Sequence, residues 1–471
     1  MKMVKSLLLG SAAAILAVAG AQAADLPVKA KPVEYVKVCA LYGAGFFYIP
    51  GTDTCLKIGG MVRADYGFNA GGSHGQYWDG SQAYYNRGTN DFQTRVRTQI
   101  SFDARTQTEY GTLRSFSRLG MQYSSTNGTA VDGQIYFDRA FIQLGGFTFG
   151  KTQSFFDAFA NGYASFTTLV GSSDTGNGVN TAAYTAQFGN GFTGTIGIED
   201  SYIRKAGVSL ADDFYVPGGT FTNRAGGQQM PNIIGNLRVD QAWGTAQLSA
   251  AVQQNRALYY TPTDDRTGNP DDRFGFAVQG AVQVKLPWAA GDTFTMQASY
   301  SEGATAYVFG NSNGKPGLGL YDGGQFFSGL LVDGVYTTTG DIELTKIFGL
   351  NAGFEHYWTP NLRSSIYGAY LSVDFNDNAT TMICANPNIA GGCNPDWNMY
   401  QIGTRTVWTP VRNLDIGLDL LYTKFEGKYG DGATWTHGPG SATDSKTAQA
   451  YVMSDRDVFS GMIRVQRNFW P

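Results

Sequence analysis

The chain has 471 residues, with 34 Lys and Arg against 38 Asp and Glu and a formal net charge of -4. That balance leaves no cationic excess to displace counterions, which argues against a nucleic-acid partner. Charged residues are only 15%, aromatics are 14% and glycines number 62, a composition that suits strands, tight turns and aromatic girdles better than helices.

Met1 to Lys5 is basic through Lys2 and Lys5, residues 7–20 are apolar, and Ala21-Gln22-Ala23 fits the small-x-small cleavage rule. Residues 1–23 therefore read as a signal peptide cleaved after Ala23. Its apolar run is shorter than the roughly 20 residues that a spanning helix needs. No comparable run follows, and the mean hydropathy is only -0.21. The exported chain cannot cross a membrane as helices.

Residues 24–54 contain ADLPVKAKPVEYVKVC and then GAGFFYIPGTDT, which reads as a periplasmic lead-in. The cysteines are Cys39, Cys55, Cys384 and Cys393. In an exported chain they allow three connectivities, of which the short-range pairs 39–55 and 384–393 are the first choice. The spacings are not Cys-x2-Cys, and His74, His356 and His437 are scattered, so neither a metal site nor a cofactor is expected.

The strand signal begins at residue 56 and is clearest in RVRTQISFDAR. Arg95, Arg97, Gln99, Ser101, Asp103 and Arg105 share one parity, while Val96, Thr98, Ile100, Phe102 and Ala104 share the other. Side chains alternate across a strand, so one face is charged and the other apolar. Hairpins are expected at 91–107 with 112–123, 133–145 with 147–155, and 181–189 with 192–203. Others follow at 231–242 with 245–257, 272–286 with 293–304, 345–358 with 362–374, and 397–408 with 413–425. The stretch 456–469 closes the chain.

Between them lie long polar, Gly-rich stretches at 69–90, 156–180, 204–230, 305–344, 375–396 and 426–455. Short turns alternating with long loops are the asymmetry of outer-membrane barrels, whose lipid face is apolar and whose lumen is wet. Residues 55–471 are therefore expected to form an all-β, transmembrane antiparallel up-and-down barrel of about sixteen strands. Tyr66, Tyr110, Trp243, Trp288, Tyr357, Trp358, Trp408 and Trp470 fall near strand ends, where interfacial girdles form.

The stretches YGAGFFYIPGTDTCLKIGGMVRADYG, FDRAFIQLGGFTFGKTQSFFD, HYWTPNLRSS and VQRNF, together with the lead-in, resemble the alphaproteobacterial porin family across essentially the whole mature chain. In the last of these, Trp470 and Pro471 follow the terminal Phe469. The resemblance implies a homotrimer in the cell outer membrane and passive diffusion of small hydrophilic solutes and ions. It also implies a third long loop folded into the lumen, with acids facing basic wall residues.

On that footing 156–180 is the constriction loop. Phe155, Phe156, Phe159, Tyr163 and Phe166 would pack on the inner wall, and Asp157 and Asp174 are its acids. Arg63, Arg95, Arg97, Arg114 and Arg139 are the expected basic lining; arginine stays charged and wetted in a lumen. Rings of charge at a narrowing select by size and sign. A channel dedicated to one solute class, such as sugars, is the alternative. Lipid and lipopolysaccharide are the expected surroundings. No enzymatic activity is expected, because none of the three histidines has a nucleophile–acid context.

Overall fold

The computed structural model describes residues 37–69, 87, 91–126, 129–159, 162–173, 176, 178–210, 223–261, 263–309, 317–337, 339–438 and 446–470. The expected signal peptide (1–23), the first part of the expected lead-in (24–36), His74 and Asp174 lie outside the described residues.

Sixteen antiparallel strands form the barrel. They are β1 (Cys55–Phe68), β2 (Phe92–Thr108), β3 (Gly111–Thr126), β4 (Thr129–Leu144), β5 (Phe147–Thr152), β6 (Val179–Gly189), β7 (Phe192–Glu199) and β8 (Asn232–Gln241). They continue as β9 (Gly244–Asn255), β10 (Arg273–Lys285), β11 (Thr293–Glu302), β12 (Lys346–Thr359), β13 (Leu362–Asp374), β14 (Trp397–Val411), β15 (Leu414–Gly427) and β16 (Arg456–Asn468). Strand β1 pairs with both β2 and β16, so the sheet closes and leaves no edge.

The period-two pattern sets the faces. On β1, Ile58 (39%), Val62 (46%) and Tyr66 (41%) are exposed to the outside, while Arg63 and Asp65 point into the lumen beside Arg97 and Arg95 of β2. Tight turns join the strands at one end. Gly145 and Gly146 (φ 57 and 92) make one of them, and Asn190 (φ 49) and Asn413 (φ 67) take the left-handed conformation in two others, which Asn tolerates better than most side chains. Tyr110, Trp243, Trp288, Trp358 and Trp408 are exposed near this end.

At the C-terminus, Phe469 packs where a Gly60 side chain would be, and the Trp470 ring covers Gly59. The lead-in is tied to the same end by the Cys39–Cys55 disulfide. There Phe47 and Tyr48 add two residues of strand to β1.

The connections at the other end are L1 (69–91), L2 (127–128), L3 (153–178), L4 (200–231), L5 (256–272), L6 (303–345), L7 (375–396) and L8 (428–455). L2 is short because β4 starts at Thr129 rather than near 133. A bulge in the β3–β4 ladder lies at Asp138.

The polar stretches at 204–230, 305–344, 375–396 and 426–455 carry structure of their own. The L6 hairpin Gly317–Asp322 with Gln325–Leu330 pairs in parallel with Gln449–Met453 of L8. That L8 strand continues through Thr434–His437 to Ile389–Ala390 of L7. Gly334–Tyr336 of L6 lies between Glu343–Leu344 and Val208–Leu210 of L4. In L7, helix α1 (Asp377–Cys384) is capped by the Asn376 side chain, which accepts from Ala379 N, and the Cys384–Cys393 disulfide closes the loop.

Candidate pore constriction

L3 leaves β5 and turns inside the barrel. Its first part runs along the lumenal wall of β8 to β11: Asn236 Nδ2 donates to Phe155 O (2.6 Å) and Ala158 N to Gln279 Oε1 (3.2 Å). Phe159 N donates to Gln297 Oε1 (3.3 Å). Phe156 is fully buried against Tyr307, Ile234, Ala251, Ala277 and Ala304. Small lumenal side chains on these strands leave the room that the phenyl ring takes.

The tip then reaches the far wall. Ser165 Oγ (2.8 Å) and Phe166 N (2.5 Å) donate to Asp419 Oδ2 of β15, and Tyr367 OH of β13 donates to the other carboxylate oxygen. Arg405 of β14 donates to the carbonyls of Tyr163 (3.0 Å) and Ser165 (3.1 Å) and pairs with Glu355 (2.6 Å). The Phe166 ring lies under the guanidinium groups of Arg464 (4.4 Å) and Arg405 (5.4 Å). On its return L3 passes β14 and β12, where Val170 bonds Gln401 and Asn351 respectively (both 3.0 Å). Gly171 (φ +90) lies against the Leu350 backbone, a close approach that any side chain there would block.

Beside the tip, guanidinium groups converge on one carboxylate. Asp65 receives Arg95 (2.5 Å), Arg464 (2.6 Å) and Arg63 (3.3 Å) and is itself fully buried. Arg97 adds a fourth guanidinium, held by Gln122 Oε1 (2.6 and 3.1 Å) and stacked over Tyr136 (5.5 Å). Three strands, β1, β2 and β16, therefore bring four positive groups around one acid, next to a loop that narrows the lumen.

The expected residues divide. Arg63, Arg95 and Arg97 come together in this cluster. Arg114 lies nearer the tight-turn end, bonded to Asp103 (3.0 Å) and Gln143 (3.0 Å). Arg139 donates to the carbonyl of Gly176 in L3 (3.0 Å) and lies 3.7 Å from Asp138.

Asp157 does not face the strand arginines. It is buried at the base of L3, 3.1 Å from Arg204 of L4 and bonded to Ser173 Oγ (2.5 Å). Arg204 Nε is 3.6 Å from Glu199, a charge contact too long for a hydrogen bond. Burial alone would push the Arg204 guanidinium down, yet Asp157 and Glu199 hold it above its ordinary range.

Sequence reasoning passed over Arg464, Arg405, Asp419 and Arg204. Arg464 was within reach of it, since Ile463 and Val465 mark the lipid face and leave Arg464 on the other. Arg204 carries no local signal, because the strand period has ended before it.

Similarity to known proteins agrees with this architecture. The family model described as "Porin subfamily" matches residues 25–462. Porin Omp2b of Brucella abortus is 35% identical over 294 residues, covering 59% of this chain and 73% of that protein. Porin Omp2a of Brucella melitensis is 33% identical over 305 residues, covering 59% and 74%. The outer membrane channel DcaP of Acinetobacter baumannii superposes with a TM-score of 0.60 at 15% identity, over 90% of this chain and 99% of that one, and shares the fold. On the family match and on relatives above 30% identity, the chain belongs to the porin subfamily and is an outer-membrane β-barrel channel protein.

Proposed function

We propose that the chain is exported by removal of residues 1–23, assembles as a homotrimer among outer-membrane lipid and lipopolysaccharide, and passes small hydrophilic solutes and ions by passive diffusion. In this reading Arg63, Arg95 and Arg97 line the narrowest part of each barrel. Arg114 borders the wider vestibule towards the tight turns, and Arg139 steadies the return of L3. Asp157 acts as an anchor of the loop; Asp174 is assigned to the same loop from the sequence alone. The protein is a channel without a catalytic role or resident cofactor. The observation that carries the reading is L3 itself, which crosses the lumen and is held on the far wall by Asp419, Arg405 and Arg464 beside the arginine cluster.

Single-channel recording in a planar bilayer tests it. Openings in groups of three, with conductance proportional to salt and no block by sugars, are expected. Block by one sugar class at low concentration would move the assignment to a solute-specific channel, and single openings alone would remove the trimer.

A further inference from the structure

The lumenal faces of the strands divide into a covered sector and a wet one. From β9 to β16, inward residues such as Ser249, Gln253, Gln297, Leu371, Met399 and Leu421 are at most 2% exposed. L3 covers part of this wall and L6 covers much of the rest. Leu318, Leu320, Phe327, Leu331, Val332 and Val335 of L6 form one apolar core with the inward residues Ile347, Leu371, Val373, Met399, Phe425 and Val458. Trp397 of β14 is fully buried in it and donates its indole N–H to Leu330 O (2.9 Å). An interior packed this way has no room for water or solute. L6 is thus a second inward-folded loop, and it closes the mouth along β12 to β16.

The uncovered sector runs along β1 to β4, where Arg97, Gln99, Arg118, Gln122, Tyr136 and Arg139 keep partial exposure. Its charges are unequal. Arg63, Arg95, Arg97, Arg105, Arg114, Arg118, Arg139 and, from β16, Arg464 stand against three acids, Asp65, Asp103 and Asp138. The acids are recessed, with side-chain exposures of 0%, 8% and 7%, whereas Arg105, Arg114 and Arg118 are 27%, 26% and 32% exposed. The two groups that hold Arg97, Gln122 and Tyr136, are neutral. Across the lumen, Arg405 and Arg363 are matched by Glu355 and Asp415. Asp157 of L3 is occupied by Arg204. Among the described residues, the passage left by the loops therefore follows a wall whose wetted charge is positive.

Resting on the channel reading above, we infer that this porin selects for small anions, carboxylates and phosphates above all, which travel along the guanidinium file of β1 to β4. Planar guanidinium forks match the oxygens of both groups. A passage confined to one wall keeps a solute within the roughly 8–10 Å over which physiological salt leaves a charge unscreened. An open barrel of the same composition would average that wall against the balanced one.

The test is the reversal potential of the full-length protein in planar bilayers under a KCl gradient. Wild type is expected on the anion side, with KCl current reduced when phosphate or citrate is added to one chamber. Arg97→Gln with Arg118→Gln should lower the chloride-to-potassium permeability ratio by about threefold or more. Arg118→Lys, which keeps the charge and disturbs packing similarly, should leave the sign unchanged. A wild-type reversal potential at zero or on the cation side overturns the inference. So does an unchanged ratio in a double variant that still conducts. Folded protein that never opens would instead sink the channel reading itself.

Discussion

Arg204 offers the sharpest test of how L3 is held. Its side chain is 1% exposed, and those of Asp157 and Glu199 are 0% exposed. The guanidinium joins three loops and the wall: Asp157 and Ser173 of L3, the ring of Tyr307 in L6 at 4.4 Å, and Glu199 at the end of β7. Arg204→Ala leaves two carboxylates buried without their cation, a change that costs about 3–5 kcal/mol. The loss falls on loop docking, because the strand ladders close without Arg204. At about 1.4 kcal/mol per factor of ten, the released state of the L3 base gains two to four orders of magnitude in population. Single-channel records should then show noisy, flickering openings, and protease should cut within 153–178. Restoring electroneutrality with Arg204→Leu, Asp157→Asn and Glu199→Gln together should recover quiet openings, since an uncharged, packed replacement avoids the orphaned charges. Quiet openings and wild-type protease resistance in Arg204→Ala would refute the argument.

Three further outcomes are expected. Gly349→Val would drive a side chain into Gly171 of L3 and to 2.8 Å from Val308 Cγ1; overpacking of this kind costs about 1–3 kcal/mol and should raise conductance by displacing L3. Asp333, buried in L6, is pushed up to about 6 by burial against the opposing effect of bonds from Thr305 and Gly207. A raised carboxyl means that the docked loops bind the extra proton. The L4–L6 contact is therefore weakest above pH 6 and gains up to about 3 kcal/mol as pH falls towards 4. Protease resistance of L4 and L6 should rise from pH 7 to pH 5 in wild type and stay level in Asp333→Asn. Replacing Cys384 and Cys393 by Ser, a pair separated by 9 residues, removes about 2–3 kcal/mol of loop constraint; L7 should become cleavable while unitary conductance holds.

The barrel was legible because its signal is local. Each strand writes its own alternation, so Val62 and Tyr66 on one parity and Arg63 and Asp65 on the other announce lipid and lumen without reference to any other segment. Strand ends were read to within a few residues at most positions. The main departure is β4, whose start at Thr129 and bulge at Asp138 depend on its pairing with β3. The short-range disulfides were likewise readable from spacing in an exported chain.

Alternation along each strand carries the closed barrel, its lumenal parity and the placement of Arg63, Arg95 and Arg97 on the lumenal face. Where the loops go was decided only in three dimensions. Asp157 looks like a pore acid beside Phe156, but Arg204, forty-seven residues later, takes it into a buried pair. The apolar residues of L6 are scattered among glycines with no period. They become a core only when Leu371, Met399 and Phe425 on three other strands face them. Alternation is fixed by backbone geometry residue by residue, whereas loop docking depends on shape and charge brought together from distant parts of the chain. No window of sequence contains both partners.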